Sequence, residues 1–134
     1  MKVSRLKIAE VIGKRTLGVY EPKKLAREIA AYLLSDGRVD ELDSLIRDII
    51  AYRASQGILE VRLTSAHQLS NQLKTEVKRL VRSYKPATKT VILSEITDKQ
   101  LIGGIKLGLA NLQLDLSLRA KLNRFKQLTN AGKA

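Results

Sequence analysis

The spacing of apolar residues changes at Gly57, and that change limits the folds open to the chain. Upstream, Leu25, Ile29, Tyr32 and Leu33, then Leu42, Leu45, Ile46, Ile49 and Ile50, recur at three- and four-residue steps. Such steps put side chains on one face of a helix. Downstream, residues 58–65 (ILEVRLTS) alternate: Leu59, Val61 and Leu63 point one way, Glu60, Arg62 and Thr64 the other. A period of two belongs to a half-buried strand. A helical part followed by a part containing strands gives an expected α+β class.

The punctuation refines this. Ser4 suits the cap of a first helix over 3–13, with Gly13 as its stop. Pro22 suits the first turn of a second helix over 22–35, since its missing N–H costs nothing there, and Asp36-Gly37 ends it. A third runs over 39–53 and Gly57 closes it. After the strand at 58–65, Ser70 caps a helix to Tyr84 with Leu73, Val77, Leu80 and Val81 on its apolar face. Residues 88–96 read as a strand and 102–109 as another, with Gly103-Gly104 marking a bulge or close approach. Ala110-Asn111 reads as a hairpin turn, Leu112 and Leu114 as a short return strand, and the segment from Asp115 or Ser117 as a last helix. The expected organisation is a short N-terminal bundle of about three helices (1–56), a small β-α-β-β-β-α module (57–130) and a disordered tail (131–134). Three short helices hold a very small core. Their apolar stripes need covering, by the second part or by another protein.

Composition excludes several chemistries. The 134 residues include no Cys and one His, so thiolate zinc sites, disulfides, thiol nucleophiles and two-histidine metal sites are out. No apolar run approaches the roughly 20 residues of a membrane-spanning helix, and Met1–Gly13 lacks the apolar core of a secretory signal. The net charge is +12. Residues 1–57 carry 11 Lys/Arg and 8 Asp/Glu; residues 58–134 carry 14 and 5. Such an excess suggests nucleic acid, anionic lipid or an acidic protein as partner, beside the plainer reading of a solvated basic surface. A small nucleic-acid-binding module is one alternative, and it predicts steeply salt-dependent binding to generic DNA or RNA. Against it, Tyr20, Tyr32, Tyr52, Tyr84 and Phe125 are scattered singly and form no stacking platform.

No reaction centre emerges from the residues. His67 has no Ser–Asp pattern or second ligand around it. Asp36, Asp40, Glu41 and Asp43 gather at a helix start, where the helix dipole favours acids. Gly103-Gly104 is followed by no phosphate-binding Lys-Ser/Thr. Lys74, Lys78 and Arg82, one turn apart, make a basic stripe, most simply a solvated face.

Three segments in fixed order carry a resemblance: GILEVRLTSAHQLS (Gly57–Ser70), LIGGI (Leu101–Ile105), and DLSLRAKL with Asp115, Ser117, Arg119, Lys121 and Leu122. Over roughly 65 residues they resemble the C-terminal module of the ATP synthase delta subunit family, also called the oligomycin-sensitivity-conferring protein. The chain departs from the family pattern at Ala110-Asn111, where the family has Gly-Asp, and at Leu116, where it has Gly. The stretch before Gly57 is also shorter than the family's six-helix N-terminal domain.

The resemblance implies a non-catalytic stator without cofactors or metals. Such a subunit ties the catalytic head of a rotary F-type ATP synthase to the peripheral stalk at the cytoplasmic face of the membrane. It implies that the N-terminal helices meet N-terminal segments of the alpha subunits, and that the C-terminal module meets the C-terminal end of the b subunit. The expected alpha-subunit contacts are Ile8, Ile12, Leu25, Ile29, Leu42, Ile46 and Ile49, which also serve the small core. The expected b-subunit contacts are Lys74, Lys78, Arg82, Arg119, Arg124 and Lys126.

Overall fold

The structure is a computed structural model and describes residues 3–131. Its elements are α1 (Arg5–Leu17), α2 (Pro22–Ser35), a 3-10 turn (Val39–Glu41), α3 (Leu42–Ser55), β1 (Ile58–Ser65), α4 (Asn71–Tyr84), β2 (Thr90–Thr97), β3 (Ile105–Leu109) and α5 (Leu112–Ala131). The class is α+β with the helices leading, as expected. The chain forms two compact units: Met1–Ile49 with Asn111–Ala134, and Ile50–Ala110.

In the helical unit each start and stop has a local cause. Ser4 Oγ accepts from the Lys7 N–H at 3.2 Å and caps α1. Gly13 does not stop that helix. It is buried, and the helix continues past it to Leu17, where the Thr16 hydroxyl donates to the Gly13 carbonyl at 2.7 Å. Pro22 opens α2. Gly37 (φ 65°) closes it: Arg38 N–H donates to the Leu33 carbonyl at 2.8 Å and Gly37 N–H to the Leu34 carbonyl at 3.3 Å. A left-handed residue after the helix lets the chain turn back onto its own last carbonyls. The Arg38 side chain then fixes the corner. Its guanidinium donates to both Glu41 carboxylate oxygens, at 2.6 and 3.1 Å, and to the Val3 carbonyl at 2.7 Å. The Glu41 hydrogen bonds raise the Arg38 pKa above its ordinary value, against the effect of burial.

The last helix departs from expectation. No strand forms at Leu112 and Leu114; α5 begins at Leu112, so the second module holds three strands rather than four. Ala110-Asn111 is accordingly a strand-to-helix joint and not a hairpin. The Asn111 carbonyl accepts from the Asp115 N–H at 2.9 Å, which starts the helix. Leu112 and Leu114 mimic alternation over too few residues. The four-residue recurrence Leu114, Leu118, Leu122 is the true period, and all three are buried. This helix belongs to the helical unit rather than to the unit that holds the sheet. It lies against α2 inside the helical unit, whose fully buried residues include Leu25, Leu33, Leu45, Ile49, Leu114 and Leu118. The apolar stripes of the short N-terminal helices are thus covered in part by the far end of the same chain. Of the expected tail, Ala131 closes α5, and residues 132–134 lie outside the described residues.

In the second unit the strand order is β2-β1-β3. β1 and β2 run parallel (Leu59↔Val91, Val61↔Leu93), joined through α4; β1 and β3 run antiparallel (Val61↔Leu109, Leu63↔Leu107). Gly57 begins the sheet. At φ 86° it adopts a conformation that side-chain-bearing residues avoid, and its carbonyl accepts from both Lys89 N–H (2.8 Å) and Thr90 N–H (2.9 Å). The core is Leu59, Val61, Leu63, Val77 and Val91, with Val81 and Leu93 packed against it. β3 starts at Ile105, three residues later than expected. Gly103 and Gly104, at φ 66° and 70°, form a bend before the strand rather than a bulge within it.

Candidate functional site

A largely apolar concavity in the helical unit lies between α1 and α2. It is an open groove of about 270 Å³. Ile8, Ile12, Leu25 and Ile29 line it, with Val3, Val11 and Tyr32 also on its wall and Lys7, Arg15 and Glu28 adding charge. The arrangement follows from helix geometry. Ile8 and Ile12 are four residues apart on α1, and Leu25 and Ile29 four apart on α2, so each pair shows one face to the gap. Arg15 of α1 donates to Glu28 of α2, which ties the two helices together. That hydrogen bond, helped by the nearby charges of Arg15 and Lys24, holds the Glu28 carboxyl below the usual carboxylate range.

Of the residues expected at an alpha-subunit contact, this groove gathers Ile8, Ile12, Leu25 and Ile29. Ile12, Leu25, Ile29, Leu42, Ile46 and Ile49 are all buried, while Ile8 is half-buried. Most of the stripe therefore serves the core. The exposed apolar surface comes from residues off the stripe, chiefly Val11 at 52% exposure and Val3 at 48%. Sequence reasoning passed over Val11. The available signal was an apolar residue next to, but outside, the buried Ala9–Ile12 stripe.

The basic residues divide between the units. Lys74, Lys78 and Arg82 lie on α4 in the sheet unit; Arg119, Arg124 and Lys126 lie on α5 in the helical unit. Two of the six are held within their own unit. Lys74 Nζ sits 2.7 Å from the Glu95 carboxylate of β2. Arg119 donates to Asp43 at 2.6 Å and to Asp115 at 2.8 Å. Among the described residues Lys78, Arg82, Arg124 and Lys126 make no ion pair, and all four are exposed.

The acidic cluster is largely occupied by arginines. Glu41 and Asp36 face Arg38, and Asp43 faces Arg119. The Arg119 hydrogen bond lowers the Asp43 pKa, and Asp43 in turn raises that of Arg119. Asp43 and Glu28 are both depressed relative to ordinary values of 3.8 and 4.5. Their stabilising contribution is complete above those ordinary values and is lost as pH falls through the lower folded-state values. Stability of the helical unit should therefore begin to drop as pH falls to the ordinary carboxylate values and keep dropping below them. Asp43→Asn should show a smaller drop on the same acidification in thermal melts; an equal drop would exclude the Asp43–Arg119 pair as a contributor.

His67 is exposed, and its carbonyl accepts from the Ser65 hydroxyl. Among the described residues no group of three or more His, Cys, Asp or Glu could hold a metal ion, and no helix is long and apolar enough to cross a membrane.

Fold and groove together describe an α+β chain whose leading helices present an open apolar cleft. The chain belongs to the ATP synthase delta (OSCP) subunit family, whose model matches residues 2–128. Among curated proteins it is similar to an ATP synthase subunit delta from Mesorhizobium japonicum, 38% identical over 80 residues, which covers 60% of this chain and 41% of the relative. It is also similar to subunits of the same name from Agrobacterium fabrum (31% over 106 residues, 76% and 54% covered) and Chloroherpeton thalassium (29% over 113 residues, 81% and 61% covered). The matches span about half the length of these relatives.

Proposed function

We propose that the chain is a non-catalytic stator subunit in the peripheral stalk of a rotary F-type ATP synthase. It links the catalytic head to the b-subunit stalk so that the head resists rotor torque. The observation that carries this reading is the family match, which runs through both units rather than one. The α1–α2 groove supports the head-side contact. An amphipathic segment from the N-terminus of an alpha subunit would lay its apolar face on Ile8 and Val11. Ile12, Leu25, Ile29, Leu42, Ile46 and Ile49 would act from beneath by holding the groove in shape. Lys78, Arg82, Arg124 and Lys126 support the stalk-side contact as exposed cations that make no ion pair among the described residues; Lys74 and Arg119 would have to exchange partners to take part.

On this reading the chain needs no cofactor, carries no reaction of its own and reaches the cytoplasmic face of the membrane only through the complex. An affinity-tagged full chain should co-purify with alpha, beta and b subunits from its own cells. Recovery of the tagged chain alone, or with nucleic acid instead, would contradict the proposal.

A further inference from the structure

One wall of the α1–α2 groove, helix α1, brings few large apolar side chains to the core. Its buried residues are Ala9, Ile12, Gly13 and Thr16, whereas α2 buries Leu25, Ile29 and Leu33 together with Ala26 and Ala30. Leu6 and Val11 of α1 are exposed. Apolar attachment scales with the area removed from water, so α1 is held less in that way than α2. Arginines hold it instead, at both ends. At its start Arg38 donates to the Val3 carbonyl at 2.7 Å, and Arg5 donates to Asp48 of α3 at 2.7 Å. At its far end Arg15 donates to Glu28 of α2. Arg5 and Arg15 are about 15 Å apart along the helix at 1.5 Å per residue. These ties also bear on the groove itself. Val3, Tyr32, Arg15 and Glu28 all line it, and Tyr32 is a further neighbour of the Arg38 guanidinium.

From this geometry we infer that Arg15 and Arg38 are positioning residues for the head-side contact: each pins one end of α1, and together they hold that wall at the spacing a partner helix requires. The inference rests on the stator reading, with an alpha-subunit segment as occupant, and adds the residues that keep its seat in shape. Spacing matters because attraction between packed atoms falls steeply within an ångström. A wall that leans in closes the seat, and one that swings out loses the apolar face it should touch. Arg15 and Glu28 balance each other's charge, so their end of the groove suits an apolar face. At the other end the planar guanidinium of Arg38 serves the Glu41 carboxylate at 2.6 Å and the Val3 carbonyl at 2.7 Å at once. The single ammonium of a lysine cannot reproduce that fork.

The test uses the full chain and a labelled peptide covering the N-terminal segment of the alpha subunit from the same genome, read by fluorescence anisotropy. Arg15→Glu removes an attraction and adds a repulsion beside Glu28, and should weaken binding at least about fivefold. The exchanged pair, Arg15→Glu with Glu28→Arg, should return the affinity to within about twofold of the parent. Both side chains are half-exposed, so the fold tolerates either change. Arg38→Lys should weaken binding about three- to tenfold and speed amide exchange in the first turn of α1, with α2 and α5 keeping their parental rates. Should Arg38→Lys unfold the helical unit, Glu41→Gln takes its place: it keeps the arginine, loosens its anchor and should weaken binding at least about twofold. If the parent binds and these variants bind equally well, the inference falls while the stator reading stands. An exchanged pair as weak as Arg15→Glu alone also overturns it, since Arg15 would then grip the partner directly. A parent chain that ignores the peptide overturns it too, and co-purification with the synthase then decides the stator reading separately.

Discussion

A chain shortened to residues 1–110 should lose the native fold of its N-terminal helices, although none of their own residues has been removed. Leu114, Leu118 and Leu122 of α5 are buried in the helical unit. Burial of such a side chain contributes about 1.5–3 kcal/mol, so the three together contribute about 5–9 kcal/mol. That is comparable with the whole stability of an ordinary domain, about 5–15 kcal/mol. Far-UV circular dichroism should fall well below the helix content of residues 5–49, and amide exchange there should become fast. A milder change, Leu118→Ala, should cost about 2–5 kcal/mol by leaving a cavity in an otherwise filled core. A shortened chain with protected amides over α1–α3 would show that the three helices stand alone, and that α5 is an accessory.

The second large effect concerns the α1–α2 groove and its proposed partner. Val11→Glu should weaken binding of an alpha-subunit N-terminal peptide by more than about tenfold, equivalent to at least about 1.4 kcal/mol. Val11 is half-exposed, so a carboxylate there is solvated in the unbound chain and must be stripped of water when an apolar helix face covers it. The variant should keep the parent melting temperature, because Val11 lies outside the buried set. Calorimetric titration reads the change directly. Unchanged affinity would remove the α1–α2 groove from the contact, and the buried Ile12–Ile29 stripe would then be core alone.

The sequence was most legible where a local physical cause acts alone. Ser4, Pro22, Gly37, Gly57 and Ser70 start or stop elements where their chemistry says they should, because a cap or a positive φ is decided by a few neighbouring atoms. The strand at 58–65 was legible because half-burial writes itself as alternation. Legibility failed at Gly13, where a buried glycine is tolerated inside a helix because packing outweighs its intrinsic cost. It failed again at Leu112–Leu114, where two apolar residues two apart fit both a strand and the start of a leucine row with a four-residue period. The packing of α5 was beyond local reading altogether. Nothing near residues 112–131 says that their leucines belong with a helix about 80 residues earlier; only the unmet need of three short helices for cover points that way. For the candidate surfaces, the apolar stripes were readable but their use was not. A stripe is the same string whether it faces a core or a groove, so Val11 emerges only once the fold shows what remains uncovered.

The measurement that most directly tests the central claim is energetic coupling in the organism's own membranes. In vesicles lacking this chain, ATP hydrolysis by the head should continue or be released in soluble form while ATP-driven proton uptake falls to background; adding back the purified full chain should restore proton pumping in proportion to the amount bound. Vesicles that pump protons at the parental rate without the chain would contradict the account.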